Sequence, residues 1–454
     1  MTRREWLAAG IAGALNPITI GREDTVFTLS TFEADVTPPL GHPCMGGGIT
    51  PVKSILDPLF ARGFVLRGAG KPIVIVSVDW CEIRNGAYDR WRSRIAEAIG
   101  TDSVRVLLNA NHQHDAPIAD LEAQELLEAH GNGAAICDRA FHERIVIRVA
   151  EAAKASLRTA QPVTHIGTGQ ARVDGVASNR RYTAKDGTIR YDRMSATRDA
   201  AIREADAGTI DPNLKTLSFW NGATPLVFWS AYATHPMSYY GRGEVSADFI
   251  GLARRKRQSD TPGPMQIYSS GCSGNVTAGK FNDGSLENRP VLAERIANAM
   301  KAAADATVKH PLKSISFRSE PLVLEPRSTA GFSEAELMTK LKTDPKPFGR
   351  CLAALGLSWL KQCQAKRPID LPVVDFGPAQ FALMPAESYV EFQLAAQALR
   401  PDSFVMVAGY GECGPGYIPI ERAWRERDGN LSDWCWVAEG SEARMTEAIQ
   451  KALK

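Results

Sequence analysis

Two histidines one residue apart, with a carboxylate directly after them, give His112-Gln113-His114-Asp115 the parts for metal binding and proton transfer. Imidazole is a common metal ligand, and it is the side chain whose ordinary pKa lies nearest neutrality. If the backbone is extended here, side chains two apart point the same way, so both rings share one pocket. A lone His-x-His is short, and a solvated loop accounts for it equally well. Two further candidates change the balance: His235 in Thr234-His235-Pro236, and Glu387 in Pro385-Ala386-Glu387. Two imidazoles and one carboxylate form the donor set of a catalytic zinc ion that keeps a position for water. Such an ion brings the pKa of its water towards roughly 7. Zinc is the default for these donors, with manganese and iron as alternatives. Taken singly, His235 also reads as a satisfied core histidine and Glu387 as a helix-start carboxylate.

Residues this far apart meet only if rigid elements deliver them. The apolar run Val104-Arg105-Val106-Leu107-Leu108 reads as a buried strand ending just before His112. Leu226 to Tyr232 runs straight into His235, and Gln380 to Met384 stops just before Glu387. Phe64-Val65-Leu66 and Ile73 to Val78 predict a hairpin, and Tyr88 to Ile99 has helical spacing. If the strands flanking that helix are parallel, ligands belong beyond their carboxyl ends. Asn221-Gly222 between two apolar runs predicts a second, tight hairpin. Helices are expected over 141–157, 292–304, 388–399 and 441–453, with a capping box at Ser333 and Glu336. Glu387 is expected at the opening of the helix from Ser388, where a carboxylate meets the positive end. The stretch from Gly167 to Asp211 reads as polar loop, and Gly271 to Gly279 as a small-residue loop whose N–H groups suit an oxyanion. These elements predict an α/β fold, a mixed central sheet with surrounding helices, in one domain over 26–454.

Composition sets the outer bounds. The 454 residues are 44% apolar and 23% charged, as expected of a globular protein with a sizeable core. A net charge of +2 gives no reason to expect nucleic acid or an anionic membrane as partner. No apolar run approaches the roughly 20 residues of a transmembrane segment. Thr2-Arg3-Arg4-Glu5-Trp6-Leu7, followed by the weakly apolar Ala8 to Leu15, resembles a twin-arginine export signal, with a frayed basic end as the alternative. Residues 1–25 are accordingly set apart, and a periplasmic or secreted location is expected. Eight cysteines form no Cys-x-x-Cys pair, which argues against a thiolate zinc site. An oxidising compartment permits disulfides, with Cys351 and Cys363 the nearest local pair.

An ordered set of short motifs resembles the neutral (alkaline, non-lysosomal) ceramidases. His112-Gln-His114-Asp-Ala-Pro117 is similar to that family's His-Thr-His-Ser-Gly/Ala-Pro, and Asn179-Arg180-Arg181 to its Asn-Arg-Ser. His235-Pro-Met-Ser238, Ser246-Ala-Asp248-Phe-Ile-Gly251, Pro385-Ala-Glu387-Ser-Tyr389 and Gly416-Tyr417-Ile418 follow in family order. The resemblance implies one zinc ion held by His112, His235, Glu387 and Tyr417. It implies that His114 handles protons at the scissile bond, and that Arg180 orients or polarises the substrate. A phenolate ligand is reasonable, since its charge is stabilised beside a cation. The substrate implied is a small-molecule or lipid-like amide, with N-acyl sphingoid bases inherited from the family.

The sequence also departs from the family. Gly274-Asn275-Val276-Thr277-Ala278-Gly279 stands where the family has Gly-Asp/Asn-Val/Leu-Ser-Pro-Asn, so Thr277 is expected to supply the serine's hydroxyl near the zinc water. Trp424 stands where a tyrosine is expected, and the chain is expected to be a short form without the family's immunoglobulin-like carboxyl-terminal domain. These departures leave two alternatives to ceramide hydrolysis: another acylated or glycan-derived substrate on the same centre, or a zinc-retaining binding protein with little catalysis.

Overall fold

The computed structural model describes residues 26–454; the twin-arginine reading falls outside them. The α/β class holds, but three principal sheets divide the strands. In the first, Val106–Ala110, Ile73–Val78, Phe60–Arg67, Thr28–Asp35 and Gln161–Pro162 lie side by side. The second runs Met265–Ser270, Thr224–Tyr232, Asn213–Asn221, His165–Arg172, Val308–Pro311. The third runs Ser316–Leu322, Ile369–Asp375, Ala379–Leu383, Phe404–Ala408. Both expected hairpins are present, 60–67 with 73–78 and 213–221 with 224–232. His165–Arg172 is a full strand, so the amino-terminal part of the expected polar loop is sheet.

One feature recurs in all three sheets. Each contains a single parallel pair whose two strands are separated in the chain by a helix. Ile73–Val78 and Val106–Ala110 flank helix Asn85–Ile99. Thr224–Tyr232 and Met265–Ser270 flank helix Asp248–Asp260. Ala379–Leu383 and Phe404–Ala408 flank helix Val390–Ala398. Parallel strands need such a crossover, since no tight turn can join them.

The sheets pack on a shared apolar core. Phe64, Ile75 and Leu107 from the first meet Trp229 and Ile267 from the second and Phe381 and Met406 from the third. The Trp229 and Phe381 rings lie 4.1 Å apart between centroids. At the carboxyl ends of the parallel strands, hydrogen bonds lace the sheets together. Ala110 N–H donates to Tyr410 O at 3.0 Å, Gly409 N–H to Ser270 O at 2.9 Å, and Ser270 Oγ–H to Asn111 O at 2.7 Å. Behind them, Arg254 donates both Nη groups to the carboxylate of Asp79, at 2.8 and 2.5 Å, and all of it is buried. That ion pair ties helix Asp248–Asp260 to the end of Ile73–Val78.

No helix among the described residues is long and apolar enough to cross a membrane. All eight cysteines are free. The expected Cys351–Cys363 pair fails on geometry, because both sit on helix Pro347–Gln364, where their twelve-residue spacing is about 18 Å along the axis. A disulfide needs α-carbons within about 7 Å.

Candidate metal centre

His112 follows the second strand of the first parallel pair, and His235 the first strand of the second pair. Glu387 follows the first strand of the third pair. Their donor atoms all lie within 4.8 Å of one another, and all three side chains are buried. Glu387 Oε2 is 2.9 Å from His235 Nε2 and 3.3 Å from His112 Nε2. Such separations suit ligands sharing one ion through bonds near roughly 2 Å.

Backbone carbonyls fix the two rings. His112 Nδ1 lies 3.0 Å from Cys81 O, and His235 Nδ1 lies 2.6 Å from Ser273 O and 3.1 Å from Val276 O. A carbonyl only accepts, so each Nδ1 carries the proton and each Nε2 presents a lone pair to the common point. His112 Nε2 is buried with no hydrogen bond of its own, an orphan that a metal ion would satisfy. Tyr410 stacks flat on the His112 ring at 4.3 Å, 20° from parallel, and its hydroxyl pairs with Ser273 Oγ at 2.7 Å. The donor set therefore fits zinc, as well as other borderline divalent ions.

The expected extended backbone at the His-x-His is not what forms. His112 has φ +68°, the left-handed region that a non-glycine residue adopts only when its surroundings enforce it. Both rings nonetheless reach one pocket, 5.3 Å apart and nearly perpendicular. Glu387 does not open a helix either. It sits in the two-residue strand Glu387–Ser388, paired in parallel with Tyr417–Ile418, and the helix begins at Val390. Gly274 lies so close beneath it that an added Cβ would stand 2.1 Å from Glu387 O, so only glycine fits that approach.

Charge is shared unevenly across the triad. Burial and then Arg180 pull the His235 pKa down to about 4. Burial also opposes charge on His112, but Glu387 and Glu82 outweigh it and hold that pKa above the ordinary value. Burial would raise Glu387, yet the two histidines bring it well below the usual carboxylate range. His114 is pushed well below 6.5, first by desolvation and then by its two histidine neighbours, so it is neutral near pH 7. Its Nδ1 is buried without a partner.

Arg180 Nη1 donates to Tyr417 Oη at 2.7 Å and to Gly274 O at 3.1 Å, and Nη2 lies 3.5 Å from His235 Nε2. Arg180 Nε remains buried and unpartnered. Burial raises the pKa of Tyr417, with Arg180 as the largest opposing influence. Thr277 departs from expectation. Its hydroxyl donates to Met194 O at 2.9 Å and accepts from Gly279 N–H at 3.1 Å, so its bonds shape the loop and none reaches the triad. Trp424 is likewise absent from the pocket lining and has the Arg327 guanidinium 5.2 Å from its ring.

Sequence reasoning missed Glu82, Cys81, Tyr410, Phe348 and Trp434. A pocket of about 190 Å³ opens beside the triad, lined by Met45, Phe348, Trp434 and Asp433 as well as His112, His114 and Tyr417. Glu82 and Cys81 follow strand Ile73–Val78, so the strand-end rule that marked His112 would have found them. No such signal marks Phe348 or Trp434.

No protein-family model matches the sequence, and no curated protein does. Among solved structures, neutral ceramidase from Pseudomonas aeruginosa is similar over 95% of this chain and 74% of its own, with TM-score 0.69 and 18% identity. A ceramidase in complex with C2 is similar over 95% of this chain and 75% of its own, with TM-score 0.67 and 18% identity. The chain thus has the neutral ceramidase fold.

Proposed function

We propose that this protein is a metal-dependent amide hydrolase, with zinc as the expected ion. The convergence of His112 Nε2, His235 Nε2 and Glu387 Oε2 carries the reading, because their lone pairs are aimed at one buried point. Tyr417 is the candidate fourth ligand, and the ceramidase fold supports acyl-amide chemistry. A bound divalent ion would supply Lewis acidity and water activation at neutral pH.

The chain's own residues account for the remaining work. His114, neutral near pH 7, accepts the proton of the attacking water. The water oxygen bonds to the acyl carbon, the C–N bond breaks, and His114 returns the proton to the leaving nitrogen. Arg180 is a buried cation beside His235 with one N–H to spare, and it favours negative charge developing on the carbonyl oxygen. Ordered backbone contacts at His112 and His235 mean that little reorganisation is required during the reaction.

Metal analysis of the purified protein, paired with an acyl-amide panel that includes N-acyl sphingosines, tests this. One ion per chain and turnover lost in His112→Ala is the expected result. A protein that takes up no divalent ion and cleaves no amide would refute the proposal. The twin-arginine reading adds an exported enzyme, tested by whether Arg3→Lys with Arg4→Lys retains it in the cytoplasm.

A further inference from the structure

The pocket beside the triad has an aromatic wall with a carboxylate at its rim. Phe348 and Trp434 face each other 23° from parallel, with ring centroids 6.3 Å apart. Met45 shares the lining, and Asp433 stands exposed at the mouth with no ion pair among the described residues.

This wall is anchored to the metal centre. Trp434 Nε1 donates to Glu82 Oε1 at 3.3 Å, and the same oxygen lies 3.9 Å from His112 Nδ1. Glu82 is itself pinned by Arg84, whose Nη1 donates to its other oxygen at 2.7 Å. The Arg84 guanidinium also lies 4.7 Å from the Trp436 ring and 5.7 Å from that of Trp434. Across the slot, a Cβ on Gly48 would stand 2.8 Å from the Phe348 ring, so the missing side chain makes room for that ring. Both aromatic walls are therefore preset relative to the ligand histidine.

Aromatic faces beside a carboxylate form a site for an ammonium group, attracted by the ring quadrupole and by the charge. The volume, about 190 Å³, falls below the roughly 300 Å³ at which pockets begin to enclose a drug-sized ligand. A long acyl or sphingoid chain finds no enclosure here. Resting on the hydrolase reading, we propose that the slot selects amides carrying a compact ammonium-bearing arm, such as mono-acylated diamines, over neutral long-chain amides. Asp433 and the Trp434 face take the ammonium, while the amide lies against the triad and His114.

Three substrates test this: N-acetyl-1,4-diaminobutane, its neutral counterpart N-pentylacetamide, and a long-chain N-acyl sphingosine. The wild type is expected to prefer the cationic amide at least tenfold in kcat/KM. Asp433→Asn should abolish that preference, and Trp434→Ala should raise KM for the cationic amide more than for its neutral counterpart. Equal or faster cleavage of either neutral amide would overturn the slot assignment and leave the hydrolase reading standing. Should no substrate turn over, calorimetry of 1,4-diaminobutane on the metal-free protein decides. Binding that Asp433→Asn removes upholds the slot even as the hydrolase reading falls, and absence of binding overturns it.

Discussion

Glu387 and Tyr417 are direct register partners in a two-residue parallel ladder, so the triad's carboxylate and the phenol held by Arg180 enter the site from adjacent backbones. This small ladder joins the ends of the third sheet's parallel strands, Ala379–Leu383 and Phe404–Ala408. It makes the position of Tyr417 depend on that of Glu387. Changing the carboxylate should therefore disturb metal binding directly, whereas changing the phenol should leave the other three donors in place. Metal content by mass spectrometry is expected to fall to background in Glu387→Ala, His112→Ala and His235→Ala. Tyr417→Phe should retain the ion with lower affinity. Unchanged stoichiometry in all three triad variants would refute the assignment.

His114 separates chemistry from metal retention. Its ring lines the pocket outside the three converging donors His112, His235 and Glu387, although its donor atom also clusters with those of Cys81 and His112. His114→Ala should keep the ion and lose about 10²- to 10⁴-fold in kcat, the usual worth of a proton-transfer group. Metal loss alongside activity loss would instead make His114 a ligand.

The three donors legible from the residues themselves share one property: a local apolar run announces each of them, whereas Arg180 and Tyr417 stand out only through the motif resemblance. His112, His235 and Glu387 all stand just past such a run, and a buried strand's end is a predictable place for a ligand. Phe348 lies at the start of a helix and Trp434 lies between short turns, so neither has a local pattern tying it to the triad. Their approach depends on Glu82, Arg84 and the packing of distant segments. The division into three sheets was hidden for the same reason. Strand patterns identify buried faces, but the Trp229–Phe381 contact that packs two sheets together joins residues far apart in the chain. Thr277 shows the converse: a hydroxyl in a loop beside the triad invites a catalytic reading from the sequence, yet in the fold it donates to Met194 O.

Arg180 should act through charge placed at a fixed point. Nη1 bonds Tyr417 Oη and Gly274 O while Nη2 lies 3.5 Å from His235 Nε2, a planar fork of two nitrogens that lysine's single ammonium does not reproduce. Arg180→Lys is expected to fold and bind metal, yet to lose about 10² in kcat, comparable to removing one oxyanion donor. A variant that retains full kcat would show that Arg180 serves only to hold the loop.

The Asp79–Arg254 pair predicts how stability should follow pH. Burial alone would raise the Asp79 pKa, but Arg254 outweighs it and holds the carboxyl below its ordinary 3.8. A carboxyl depressed in the folded state stabilises fully above its unfolded pKa, and that contribution is lost as pH falls through the folded value. Urea denaturation at neutral pH should therefore show Asp79→Asn destabilised by about 3–5 kcal/mol, because Arg254 is left buried without its counter-charge. The gap between variant and wild type should begin to narrow below about pH 4, where the carboxyl of the unfolded chain takes up its proton, and close as pH falls through the lower folded value. A constant gap down to pH 2 would mean that the loss comes from packing or from the Asn111 Nδ2 bond to Asp79 Oδ1, and not from the ion pair.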